Sequence, residues 1–136
     1  MKLSDAIRLG AMLRPCKSAR ILTEDGSCSL GAAIEAAGLD YGPSSNGYEM
    51  VVHHWPWTNR RMTPEQYPQS LSQIERKTFC DNDYQAVHAI SLMTIHWKSR
   101  ERVADWVASI EPQEEPRPAE PLGEPRHHES ARSCTL

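Results

Sequence analysis

Gly26-Ser27-Cys28 sets a thiol at the start of an alanine-rich stretch, Gly31-Ala32-Ala33-Ile34-Glu35-Ala36-Ala37, that reads as a helix. A cysteine at that point meets unpaired backbone N–H groups and the positive end of the helix dipole, and both favour thiolate, the nucleophilic form. A thiol-dependent hydrolase or transferase would also need an imidazole base within hydrogen-bond reach. His53, His54, His88 and His96 are available, and we take His53 and His54 as the candidate partners of Cys28. A small thiol packed on the alanine face accounts for Cys28 equally well, because free cysteine is commonly a core residue.

The second cluster is His53-His54-Trp55-Pro56-Trp57, followed by Asn59-Arg60-Arg61. Histidines here could join Cys80, Asp81, Asp83 or His88 around a divalent metal, but the spacing is not that of a finger or a C-x-x-C site. If residues 48–57 are a strand, His53 and His54 point to opposite faces and cannot serve one ion without a bend. No metal and no cofactor is therefore expected. Tryptophan beside arginine also suits base stacking and phosphate contact, so Trp55, Trp57, Arg60 and Arg61 form a candidate binding segment for nucleic acid or for a protein. Its bland alternative is two core-closing tryptophans next to a solvated turn. Asp81 and Asp83 imitate the start of a calcium loop, but the glycine and the closing glutamate are missing, and helix capping explains them.

Charge weighs against the nucleic-acid alternative. Up to Ile110 the chain carries twelve Lys/Arg and twelve Asp/Glu, whereas from Glu111 onward six glutamates face three arginines, so the net charge of −3 comes from the C-terminal end. A balanced domain lacks the broad positive field that phosphate backbones reward. Five of the ten prolines follow Glu111, and large apolar residues almost vanish there, so residues 112–136 are expected to be a disordered tail. The remainder, residues 1–111, has the size of one small domain. Scattered cysteines at Cys16, Cys28, Cys80 and Cys134 fit reduced thiols in a cytoplasm. The longest uncharged stretch, residues 84–97, has the length of a core helix rather than a membrane span.

The elements that must hold these residues are mainly helical. Ser4 reads as the cap of a first helix with Leu3, Ile7, Ala11 and Met12 on its apolar stripe, ended by Pro15. Residues 19–23 read as extended and Glu24-Asp25-Gly26 as a turn, which allows a short two-stranded element. Gly38 suits the left-handed position after the alanine helix, and the alanines imply a close neighbour. Met50, Val51 and Val52 suit a strand that Pro56 stops. Thr63-Pro64-Glu65 resembles a helix start, and a short helix is expected over 69–77. Asp81-Asn82-Asp83 should cap a helix bearing Val87, Ile90, Met93, Thr94 and Trp97, and Ser99 should cap a second bearing Val103, Trp106, Val107 and Ile110. Arg100, Arg102 and Asp105 stay wet in that reading, and the two helices form the centre of the core.

Ser27-Cys-Ser-Leu-Gly-Ala-Ala33, running to Ala37-Gly38, and Trp97-Lys-Ser-Arg-Glu-Arg-Val-Ala-Asp-Trp-Val107 resemble small uncharacterised proteins of bacteria and their phages. In that group a C-x-x-G-A helix is followed by a capped helix of the Arg-Glu-x-Ile-Ala-Asp-Trp type. The opening segment, residues 3–15, fits the same picture, and the resemblance implies no known activity. With no complete catalytic constellation in view and four tryptophans in a small core, the expected function is a non-enzymatic accessory module that binds another protein.

Overall fold

The computed structural model describes residues 1–17 and 21–113. Among them it contains six α-helices and a two-stranded antiparallel ribbon, in the order α1 (Leu3–Ala11), β1 (Leu22–Thr23), β2 (Gly26–Ser27), α2 (Ser29–Ala36), α3 (Gly47–His54), α4 (Gln73–Asp81), α5 (Ala86–Trp97) and α6 (Arg100–Ile110). Single 3-10 turns at Pro56–Asn59 and Pro64–Gln66 fill the connection from α3 to α4. The mainly helical class and the short ribbon match the expectation, whereas the tail falls largely on 114–136 and lies outside the described residues. None of the described helices is long and apolar enough to cross a membrane.

Helix α1 buries Leu3, Ser4, Ala6, Ile7 and Gly10, one face at helical spacing, between α2 and α6. Ser4 is not its cap. Lys2 holds the capping position without a side-chain bond, and Ser4 sits in the first turn, where its N–H donates to Glu111 Oε1 at 3.1 Å and its hydroxyl contacts Glu111 Oε2. A carboxylate from the far end of the fold thus satisfies one of the orphan N–H groups and meets the positive end of the dipole. Met12 leaves the expected stripe and is 78% exposed, because the helix ends at Ala11 and the stripe ends with it.

Helix α2 is enclosed over its first six residues: Ser29, Leu30, Gly31, Ala32, Ala33 and Ile34 are all buried. The close neighbour implied by its alanines is α1, whose Gly10 lies so near that a Cβ there would stand 1.9 Å from Ala32 O. Gly31 faces the chain before β1 in the same way, since a Cβ there would stand 1.5 Å from Ile21 O. The helix stops in a Schellman arrangement, with Gly38 at φ +73°, Gly38 N–H donating to Glu35 O and Leu39 N–H donating to Ile34 O, both at 3.1 Å.

Residues 47–54 correct the strand expectation: they form α3, capped by Asn46, whose Oδ1 accepts from Tyr48 N–H at 3.0 Å and Glu49 N–H at 3.2 Å. Asx capping and the burial of Gly47, Val51 and Trp55 at four-residue steps outweigh the β preference of Val51-Val52. Helix α4 starts four residues later than expected, at Gln73, because Ser72 and Glu75 make a reciprocal capping box. Asp81-Asn82-Asp83 does not cap α5. Asp81 closes α4, Asp83 turns the chain at φ +59°, and Gln85 occupies the capping position of α5.

In α6 Ser99 Oγ accepts from Arg102 N–H at 3.1 Å as expected, and Val103, Trp106 and Val107 are buried. Arg100 is the exception to the wet face: it is 4% exposed. Its Nη1 donates to Ser27 Oγ at 2.9 Å and Ser27 O at 3.4 Å, and its Nη2 to Arg14 O at 2.6 Å and Ala11 O at 3.2 Å. The guanidinium therefore sits on the negative end of α1, where a cation is favoured, and locks that end to β2. The α5–α6 pair does pack, but α6 lies more extensively against α1, so the three-way contact of α1, α2 and α6 is the centre of the core.

Candidate functional site

Cys28 is where the spacing puts it, at the N-cap of α2, but its thiol makes no capping hydrogen bond. Burial pushes its pKa up and outweighs the pull of the nearby backbone N–H groups, so the thiol lies above its ordinary value. The side chain is 2% exposed. His53 and His54 are exposed on α3 and open onto a groove that Cys28 does not line. The structure thus brings the two imidazoles together without bringing them to the thiol.

The tryptophans are inside. Trp55 is 5% exposed and donates from Nε1 to Met1 O at 3.0 Å, while Trp57 is half-buried against the core. Arg60 is half-buried and its carbonyl accepts from Ala86 N–H at 2.8 Å. Arg61 is exposed but pairs with Asp83 at 3.0 Å, which cancels half of the arginine patch read from the sequence. Asp83 and Asp81 are both taken, the latter by Lys77 at 3.0 Å, and among the described residues no group of three or more His, Cys, Asp or Glu side chains could hold a metal ion.

Two surface features were not read from the sequence. The first is an open groove along α3, made of two adjoining concavities of about 520 Å³ each that share Asn46, Glu49 and His53. One runs over Leu39, Asp40 and Met50; the other runs to α5 over Val52, Asn59, Gln85 and His88. His88 stacks on Tyr48 with ring centroids 4.9 Å apart, and Tyr48 Oη is 3.2 Å from Ser91 Oγ, so the wall between α3 and α5 is fixed by packing. The signal for this groove was Asn46-x-x-Glu49: read as a cap, it makes 47–54 helical and puts Glu49 and His53 four residues apart on one face. The second feature is an apolar trio at the end of α1, Leu9, Met12 and Leu13, exposed by 43, 78 and 54%.

Fold and site together define a small helical domain with an open groove along α3 and exposed apolar side chains at the end of α1. The chain matches no protein family, no curated protein and no solved structure.

Proposed function

We propose that this chain is a non-enzymatic accessory module that docks on another protein through the exposed end of α1. The observation that supports this reading is the Leu9, Met12 and Leu13 trio: three large exposed apolar side chains, one on the last turn of α1 and two in the turn that follows it, beside a helix whose other face is packed in the core. Apolar side chains gathered on one surface gain free energy when a partner covers them, at roughly 25 cal/mol per Å² of area removed from water. The thiol-enzyme alternative gains no support from Cys28, which is 2% exposed and whose pKa burial raises. The three described cysteines are free, which suits a reducing compartment such as the cytoplasm. The likeness of the Cys28 and Trp97-to-Val107 segments to bacterial and phage proteins supports an origin on a mobile element.

The test is a photo-reactive residue placed at Met12, with the same residue at the exposed Ala108 of α6 as control. The reading expects one discrete cross-linked product from position 12, absent from position 108 and lost in Leu9→Ser/Leu13→Ser. Equal labelling from both positions, or none from position 12, overturns it.

A further inference from the structure

Asn59 and Gln85 are brought together by backbone pairing. Met62 N–H donates to Tyr84 O at 3.1 Å and Ala86 N–H to Arg60 O at 2.8 Å, so the chain after the Pro56–Asn59 turn runs antiparallel to the chain entering α5. The two side chains meet beside that bridge, Gln85 Nε2 donating to Asn59 Oδ1 at 3.0 Å. One NH2 group and one carbonyl oxygen are thus spent on each other, and the pair keeps one of each, a donor next to an acceptor. The same is true if both amides are turned over, so the pattern does not depend on how either is oriented. Both residues line the concavity of about 520 Å³ between α3 and α5.

That concavity also has an aromatic wall. His88 stacks on Tyr48 with centroids 4.9 Å apart and lies 6.4 Å from Tyr84, so three rings lead from it into an adjoining concavity of about 310 Å³ that shares Gln85 and His88. Val52 and Val87 add apolar lining. The larger volume suits a small organic molecule, whose sites span roughly 300–1,000 Å³.

Wall and amide pair together select a ligand class. A flat ring can lie on the wall, which an aliphatic chain or a bare amine would leave unused. A donor and an acceptor adjacent on the edge of that ring meet the amide pair, as Asn and Gln side chains read the edge of a base. Charge adds a third condition. Glu49 lines the larger concavity and Asp83 the smaller, and the arginine at hand, Arg61, is paired with Asp83 at 3.0 Å, so a phosphate gains little there.

We propose that this concavity binds an uncharged nucleobase-type heterocycle, a purine or its nucleoside, with the ring against Tyr48 and His88 and its donor–acceptor edge on Asn59 and Gln85. The inference goes beyond the α1 face and uses none of its residues.

Adenosine is the probe, titrated to millimolar concentration into the ¹⁵N-labelled full chain while amide shifts are followed. Saturable shifts are expected over 46–53, 59–61 and 84–88, with α1 unmoved. The 6-dimethylamino analogue of adenosine, which keeps the ring and lacks the N–H donor, should bind about fivefold more weakly, the share of one ordinary hydrogen bond. Gln85→Ala should cost a similar factor, and because its side chain makes no capping bond, α5 keeps its start. Gln73→Ala removes an exposed amide that does not line the concavity and should cost nothing. The 5′-monophosphate should bind no better than adenosine. Absent or scattered shifts, equal binding of the dimethylamino analogue, full binding by Gln85→Ala, or tighter binding of the monophosphate would each overturn the proposal. The photo-cross-linking result at Met12 is unaffected by any of these outcomes, so the two readings fail separately.

Discussion

Helices α1 and α4 are both nine residues long, and they are held in opposite ways. Five residues of α1 are buried between α2 and α6; none of α4 is buried. What holds α4 is local. Ser72 and Glu75 cap it, Arg76 reaches the carbonyls of Pro64 at 3.4 Å and Pro68 at 3.1 Å, Phe79 stacks on Tyr67 at 5.8 Å, and Glu75 meets His96 at 3.5 Å. Burial makes α1 part of the cooperative core, whereas surface hydrogen bonds leave α4 free to open without unfolding the rest. Changes at α1 should therefore move global stability, and changes at α4 should move only local protection.

The largest effect should come from Arg100→Met. Methionine fills much of the volume but leaves Ser27 Oγ, Ser27 O, Ala11 O and Arg14 O without their donor, and a buried acceptor left unsatisfied costs about 1–3 kcal/mol, here at more than one atom. Urea denaturation followed by circular dichroism measures it; a loss below about 1 kcal/mol, the scale of one ordinary hydrogen bond, would mean that water replaces the guanidinium and that the α1 end is not locked by it. Gly10→Ala comes next. Its methyl group would collide with Ala32 O, a backbone atom that cannot rotate aside, so α1 and α2 must separate, at about 1–3 kcal/mol for an overpacked core site. An unchanged midpoint would place the α1–α2 contact outside the cooperative unit. As the counterpart on α4, Ile74→Ser changes a side chain 78% exposed and should shift the midpoint by less than about 0.5 kcal/mol.

The same contrast explains what could be read without coordinates. Elements fixed by local signals were legible: Ser99 as a cap, Gly38 as a left-handed stop, and the stripe Val87, Ile90, Met93 and Thr94. Two local signals were present but lost to louder neighbours, Asn46-x-x-Glu49 behind the strand-like Met50-Val51-Val52, and Ser72-x-x-Glu75 behind Pro68. Features that depend on distant partners were not legible. Arg100 sits at a position that looks solvent-facing along α6, and only its separation of 73 residues from Ser27 in sequence, closed in space, makes it a core residue. The candidate site behaves likewise. His53 and His54 do open onto a groove, but its other wall comes from α5, and nothing in the order of residues announces that Gln85 and His88 face Asn46. Trp55 and Trp57, offered as binding residues by composition, are used by the core.

A smaller effect tests how the core side of the comparison responds to alkali. Burial raises Cys28 above its ordinary 9.0 and, with nearby negative charge, pushes Tyr67 from 10.0 to about 12. Both are acids favoured in their neutral form by the fold. Their contribution to stability is complete below the unfolded values and is lost as pH rises, beginning near 9 for Cys28 and between 10 and about 12 for Tyr67. The urea midpoint should fall over that window, and Tyr67→Phe, which keeps the ring on Phe79 without an ionisable group, should fall less. An equal fall in both proteins would remove Tyr67 from the account.

The smallest change separates the two regions most sharply. Ser72→Ala removes the acceptor of Glu75 N–H and half of the capping box, worth about 1 kcal/mol to the helix it starts. If α4 opens on its own, hydrogen exchange of its amides should speed up about fivefold, the factor that 1 kcal/mol represents, while the amides of α1 and the urea midpoint stay as they were. Acid should produce the same local opening in the unaltered chain. Glu75 is held below its ordinary pKa first by the Ser72 N–H and then by the Ser72 hydroxyl and His96, so its contribution is complete above the ordinary value and disappears as pH falls through the depressed one. Protection lost together from α1 and α4, in either experiment, would make α4 a full member of the core despite its exposed sides, and the division between burial and local hydrogen bonding would have to be redrawn.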